Sequence, residues 1–270
     1  MFSYLFSLLI RFPENLFILG FSLLDHKDDR RTIPWSQFLW IGVPVLALID
    51  WLWNKRSYPW LFLVNDYLGH FHHVWNWNPL FRMIPWNDGS LFRLYKTHWL
   101  TVWLQFAYSQ AFVLNLWVAI IRSFLIKDVR KMLQYALGGF VLQMPVIIFF
   151  YHTVLLQEVW YVKGDPDGLM RGLTGQKLLN TVANCFPSMH TSVAFAILLL
   201  ALQEKGPYFK WGMVFYCASV IYSTLYLEIH WVIDVIAGMA LAYVAVRLSD
   251  IILNLVWNKG PKKLMSRLNK

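Results

Sequence analysis

Six stretches of the chain lose almost every polar position for the length of a helix: Trp35–Trp53, Trp99–Ile121, Met132–Leu156, Met189–Leu202, Trp211–Leu227 and Trp231–Trp257. About 20 apolar residues are needed for a helix to cross the hydrocarbon of a bilayer. The fourth stretch is short, but Phe186 and Pro187 stand just before it and extend its start. Only Glu228, Ile229 and His230 separate the fifth from the sixth, which predicts a tight helical hairpin. The pattern as a whole predicts an all-α integral membrane bundle of six transmembrane helices.

Between and before these stretches the pattern changes. In 1–34, Met1–Ile10 and Leu16–Leu24 are apolar but are split by Arg11, Phe12, Pro13 and Glu14, so neither half spans. There is no basic leader and no small-residue cleavage site of a signal peptide. This N-terminal segment is expected to lie in the membrane interface, with a kinked seventh span as the alternative. Residues 54–98 hold Trp60, Trp75, Trp77, Trp86 and Tyr95 among too many polar positions to span. They are expected to form interfacial amphipathic helices on one membrane face. The organisation is then an interfacial segment (1–34), a six-span catalytic membrane domain (35–258) and a basic tail (259–270).

Composition agrees. The AVILMFWYC set makes up 58% of the chain and charged residues only 14%, where about 25% is usual for soluble domains. A water-soluble globule and a disordered chain are both excluded. The net charge of +9 does not imply nucleic acid, because the basic residues fall in short clusters between apolar runs, where anionic headgroups meet them. With six spans, fifteen Lys and Arg lie on the side of the termini and eight on the other. That asymmetry places both termini in the cytoplasm and puts 54–98, 157–188 and 228–230 on the exoplasmic or lumenal side. The two cysteines, Cys185 and Cys217, supply neither a disulfide framework nor metal spacing.

Two polar segments interrupt the apolar background. One is Asn184-Cys185-Phe186-Pro187-Ser188-Met189-His190; the other runs from Ser223 to Asp234. Both fall at the same predicted membrane face. Ionisable groups in such positions mark function. His230 and Asp234 are four residues apart and so share a helix face. A carboxylate beside an imidazole fixes its tautomer, holding Nδ1–H and leaving Nε2 free to attack. His190 adds a second imidazole able to pass a proton to a leaving oxygen. The alternative is a hydrogen-bonded pair that only caps a span. Two histidines and an aspartate suffice for nucleophilic transfer, so no cofactor and no metal are expected.

Phe186-Pro187-Ser188-Met189-His190, followed some thirty residues later by Ser223-Thr224-x5-His230-x3-Asp234, resembles the type 2 phosphatidic acid phosphatase superfamily. That family's motifs read Pro-Ser-Gly-His and Ser-Arg-x5-His-x3-Asp. The departures are Met189 for the family Gly, Thr224 for the phosphate-holding Arg, and no Lys-x6-Arg-Pro motif. Lys163 and Arg171 come nearest to that motif, with seven residues between them and no Pro after Arg171. In these departures the chain is similar to the branch containing inositol phosphorylceramide synthase, which moves a phospho-alcohol headgroup between lipids.

The resemblance implies His230 as the nucleophile that forms a phosphohistidine, Asp234 as its orienting partner and His190 as the acid and base. It implies Ser188 and the backbone N–H groups at the start of the fourth span as phosphate ligands, with Thr224 at the Arg position and Arg171, then Lys163, as the charged clamp. The expected partners are a phospholipid or lipid-phosphate substrate, a lipid alcohol acceptor and the membrane itself. Two other readings stay open: a hydrolase acting on a lipid phosphate or polyprenyl diphosphate, and a non-catalytic membrane binding or transport protein.

Overall fold

The structure is a computed structural model, and it describes residues 34–53, 74–111 and 113–259. The expectations for the N-terminal segment, for 54–73 and for the tail beyond 259 lie outside the described residues. The fold is mostly helical. Among the described residues, three helical stretches are long and apolar enough to cross a membrane: Trp35–Leu52, Val129–Thr153 and Val232–Trp257.

Helix α1 covers Trp35–Trp53. A six-residue helix, α2, covers Asn78–Met83, and α3 covers His98–Ser109. A π-helical turn, Val113–Trp117, leads into α4, Val118–Leu125. Helix α5, Val129–Ala136, passes through a second π-helical turn, Leu137–Val141, into α6, Met144–Thr153. Two short helices follow, α7 (Val159–Lys163) and α8 (Gly175–Val182). Three long ones close the fold: α9 (Met189–Leu202), α10 (Pro207–Tyr226) and α11 (Val232–Lys259). A two-residue parallel bridge, β1 (Trp75–Asn76) with β2 (Val154–Leu155), and an isolated parallel bridge between Leu156 and Asn184 depart from an all-α fold among the described residues.

The stretch read as one span over Trp99–Ile121 is therefore broken, and the Met132–Leu156 span starts earlier and is interrupted. In the second case the cause is visible. Gly138 and Gly139 let neighbours approach so closely that a Cβ would lie 2.9 Å from Ser249 Oγ or 2.7 Å from Ile197 Cδ1. The helix loosens there, and the buried Gln143 side chain donates to the freed Gly138 carbonyl. A polar group buried in hydrocarbon needs such a partner.

Helix α9 is the axis of the molecule. It packs along both α10 and α11 and against both π-helical turns. Its 14 residues are too few to span alone, but the non-helical segment before it is shielded by protein, where irregular backbone is tolerated. The predicted hairpin of α10 and α11 is accordingly not tight. The two helices are splayed around α9 and touch one another little. The outward positions of α11, including Ile236, Val244, Ile251, Leu255 and Val256, are apolar and exposed, the surface a bilayer covers.

The connections alternate between the two ends of this bundle. At the C-terminal end of α9, the buried Glu204 carboxylate accepts from Arg122 (3.1 Å), Lys131 (2.5 Å) and Tyr135 (3.2 Å), joining the α4–α5 and α9–α10 connections. At the other end, 74–97, 154–188 and 227–231 converge. Phe81, on α2, packs edge-on against Phe186 and Trp231. The described part of 54–98 keeps Leu80, Met83, Trp86, Leu94 and Tyr95 exposed while Phe81 anchors it. It is built into the end of the bundle.

Candidate active site

The site forms where the starts of α9 and α11 meet. Helix α11 begins at Val232, and its first N–H groups need a cap. Asn87, 2% exposed, supplies one from a distant loop: its backbone oxygen accepts from Val232 N (2.8 Å) and its Oδ1 from Ile233 N (3.0 Å). These are two of the N–H groups that a helix start leaves unpaired. Asp234 sits in the same first turn, where the helix dipole favours an anion. Its backbone oxygen accepts from Ser188 N at 3.2 Å, tying α9 to α11. Gly238, one turn on, makes this approach possible, since a Cβ there would lie 2.7 Å from Ser188 O.

The five residues between α10 and α11 are held by hydrogen bonds to several other segments. Thr224 O accepts from both Ile229 N (3.1 Å) and His230 N (3.0 Å), and Glu228 O accepts from Trp160 N (2.9 Å). Glu228 takes the left-handed conformation, with φ of +60°. The indole of Trp231 donates to Gln157 O at 2.8 Å. His230 is held from both sides and is 3% exposed.

His230 Nδ1 lies 3.1 Å from Asp234 Oδ2, and Asp234 is fully buried. The partner assigns the tautomer, with the proton on Nδ1 and the lone pair on Nε2. The His190 ring lies 6.3 Å from the His230 ring, centroid to centroid. It stacks on Tyr108 of α3 at 4.1 Å and 21°. His190, His230 and Asp234 are therefore brought together.

The residues expected to hold phosphate make the following contacts. Ser188 Oγ caps α9, accepting from Thr191 N (3.3 Å) and donating to Thr191 Oγ1 (2.9 Å). Thr224 is fully buried and donates to Ile221 O (2.7 Å). Both hydroxyls serve the backbone of their own helix end, and Thr224 also holds His230 through its carbonyl.

Arg171 is clamped between two carboxylates. It donates to Glu158 Oε1 (3.0 Å) and Oε2, and to Asp167 Oδ2 (2.8 Å) and Oδ1 (3.0 Å). Burial opposes the guanidinium charge, but Glu158 and Asp167 outweigh it and raise the Arg171 pKa further. Burial also raises the Asp167 carboxyl, yet hydrogen bonds from Arg171 and the Leu169 N–H leave it below the ordinary range. Lys163 pairs with Asp88 (3.3 Å), Asp165 (3.3 Å) and Glu228 (3.6 Å). Arg93 joins that cluster through Asp88 (3.3 Å) and Glu228 (3.0 Å). The Gly164–Gly168 turn is closed by Asp167, whose Oδ1 accepts from Leu169 N.

Three residues of the site carry no signal in the motif spacing. Tyr108 and Asn87 come from other parts of the chain, and Glu158 shares its carboxylate between Arg171 and the Trp160 indole. A fourth, Cys185, stands inside the first polar segment, but nothing in the sequence gives its thiol a task. It donates to Asp234 Oδ2 at 3.1 Å and lies 3.3 Å from His230 Nδ1. Burial, and then the Asp234 carboxylate, push the Cys185 thiol well up, so it keeps its proton. Among the described residues Cys185, His230 and Asp234 are also the one His/Cys/Asp/Glu group whose ligand atoms all fall within 4.8 Å of one another.

No curated protein and no solved structure matches the chain. The family model of the PAP2 superfamily matches residues 110–259, more than half of the chain and all of α9 to α11, and the protein that carries this paired-histidine site belongs to the PAP2 superfamily.

Proposed function

We propose that this protein is a membrane phosphotransferase that moves a phospho-alcohol headgroup from one lipid to another through a phosphohistidine. Membership of the superfamily supports lipid phosphatase or phosphotransferase activity. The observation that carries the mechanism is the His230 Nδ1–Asp234 bond with His190 beside it. His230 Nε2 attacks phosphorus, and the bond to the donor lipid's oxygen breaks as His190 gives that oxygen a proton. The acceptor hydroxyl then attacks the phosphohistidine, its proton passes to His190, and the P–N bond breaks.

The preference for transfer over hydrolysis rests on charge. A phosphate monoester brings close to two negative charges and a diester only one. Arg171 is already neutralised by Glu158 and Asp167, Lys163 by three carboxylates, and Thr224 stands where the phosphatases place Arg. A site with so little uncommitted positive charge suits a diester. The Ser223-to-Asp234 pattern supports the inositol phosphorylceramide synthase-like branch for the same reason. The test is purified protein given labelled phospholipid diesters, lipid phosphates and diphosphates, with and without ceramide or another lipid alcohol. The expected outcome is headgroup transfer that depends on the acceptor. Efficient dephosphorylation of monoesters with no transfer from any diester would assign the hydrolase instead.

The same reading has six crossings with both termini cytoplasmic and His190 and His230 on the opposite side. The alternation of connections between the two ends of the bundle supports it. Thiol labelling of single cysteines introduced at residue 167 and in the tail is expected to mark opposite membrane faces. Labelling from one face would overturn the topology.

A further inference from the structure

We propose that Cys185, His230 Nδ1 and Asp234 form an inhibitory binding site for a borderline-soft divalent cation of the zinc class. The consequence for turnover rests on the reading of His230 as nucleophile; the site itself does not.

The geometry comes first. The three ligand atoms are 3.1 Å (Sγ to Oδ2), 3.1 Å (Nδ1 to Oδ2) and 3.3 Å (Sγ to Nδ1) apart. Zinc bonds to N, O and S run about 2.0–2.3 Å, so neighbouring ligands of a tetrahedral ion lie roughly 3.3–3.7 Å apart. The triangle is one face of such a tetrahedron, a few tenths of an ångström short of its full size. All three residues are buried, so they are held in place without the ion. The second carboxylate oxygen, Asp234 Oδ1, is buried and has no hydrogen-bond partner among the described residues. A buried carboxylate oxygen left in that state is costly, and it is available as a further ligand atom. One oxygen, Oδ2, meanwhile receives both the thiol and the imidazole N–H.

The charges also match. With thiolate, neutral imidazole and carboxylate, the ligands carry two negative charges and the ion two positive ones. The filled site is neutral, which a buried location requires. Thiolate and imidazole together select zinc, cadmium or cobalt over magnesium or calcium, which favour all-oxygen sets.

Filling the site has a definite effect on the imidazole. The Cys185 S–H proton leaves to solvent as the S–metal bond forms. The Nδ1 proton must also leave for the metal to bind there, and the neutral ring regains a proton at Nε2. The net release is one proton per ion. Nε2 is now an N–H with no lone pair to attack phosphorus, and Asp234 no longer orients it. The ion therefore switches off the nucleophile without touching the face of the ring that meets substrate.

The test uses the full-length protein in detergent, stripped with EDTA and titrated with Co²⁺ and then Zn²⁺. Three readouts run together: the thiolate-to-cobalt absorption band, proton release in weak buffer, and headgroup turnover. The expected result is one Co²⁺ per chain with a thiolate band, displaced by Zn²⁺, one proton released, and turnover that falls at least about tenfold and returns with EDTA. Mg²⁺ and Ca²⁺ should do neither. The chain has two cysteines, so the source of the band is decided by Cys185→Ala and Cys217→Ala. Cys185→Ala is expected to lose the band and to need at least about tenfold more Zn²⁺ for half-inhibition, each rate being compared with that variant's own metal-free rate. Cys217→Ala is expected to keep the band. Should Cys185→Ala fail to fold, Cys185→Ser serves for the same comparison. Absence of the band, or Zn²⁺ inhibition unchanged in the Cys185 variants, overturns the site. A Cys185-dependent band with one proton released but no loss of turnover keeps the site and overturns His230 as the nucleophile.

Discussion

At the scale of single residues, the site separates groups that do chemistry from groups that hold them. His230→Ala is expected to abolish turnover. Asp234→Asn is expected to slow it by about 10²–10⁴, because the imidazole loses its tautomer and orientation. The check is a transfer assay beside size-exclusion and thermal-melt controls for folding. Thr224 belongs to the holding groups. Its side chain is fully buried and bonded to Ile221 O, so Thr224→Arg would bury a long cation with no partner. The expected outcome, read by folded yield in detergent, is loss of folded protein rather than a gain of monoester hydrolysis. Position within a motif did not reveal this; the direction of the hydroxyl did.

At the scale of elements, the positions of the catalytic side chains depend on how the helix ends are tied. Helix α11 starts on a cap borrowed from Asn87, some 145 residues away in the chain. Asn87→Ala is expected to destabilise the protein by about 0.5–2 kcal/mol, the usual cost of a lost cap. Turnover should fall as well, since Asp234 stands in that first turn. Thermal melts in parallel with the assay separate the two effects. Gly238→Ala should lower turnover too, because its Cβ would meet Ser188 O at 2.7 Å and push the His190 helix away from the His230 helix. Cap and close approach both join segments that no local pattern connects.

At the scale of the whole molecule, charge networks pin both ends of the bundle. Glu204 is buried and neutralises Arg122, itself 3% exposed, together with Lys131. Removing it leaves a buried cation unpaired, so Glu204→Ala is expected to cost about 3–5 kcal/mol, read by chemical denaturation in detergent. At the opposite end, Asp88 and Asp167 have carboxyls below their ordinary range. Burial raises each, and hydrogen bonds from Ser90 and Lys163, or from Arg171 and Leu169, outweigh it. A depressed carboxyl contributes stability that is complete above the unfolded value and is lost as pH falls through the folded one. Lys163 has the opposite sign. Burial lowers it, Glu228 outweighs that, and its contribution is lost only above the ordinary lysine range. Hydrogen-exchange protection in 158–171, corrected for the intrinsic pH dependence of amide exchange, should therefore be flat from about pH 4 to about pH 10 and fall outside that window.

The sequence by itself determined the parts of this protein that follow from short-range periodicity. The apolar runs Trp35–Trp53, Met189–Leu202 and Trp231–Trp257 became helices within one or two residues of their predicted limits, because burial in hydrocarbon or in the core demands internal backbone pairing over each run. His230 and Asp234 stand four residues apart and do meet, although His230 lies two residues before α11 and only Asp234 is in its first turn. What lies between elements was decided only in three dimensions. The π-helical turn Leu137–Val141 arises from the close approach of neighbours at Gly138 and Gly139, the splay of α10 and α11 from the wedge of α9, and the caging of Arg171 from the folding back of Glu158 and Asp167. Cys185 reaches Asp234 and His230 across 45 residues or more of chain, through the contact of one loop with one helix end. Interactions of that range follow from how helices pack, and packing is set by the shapes of many side chains together rather than by the spacing of a few.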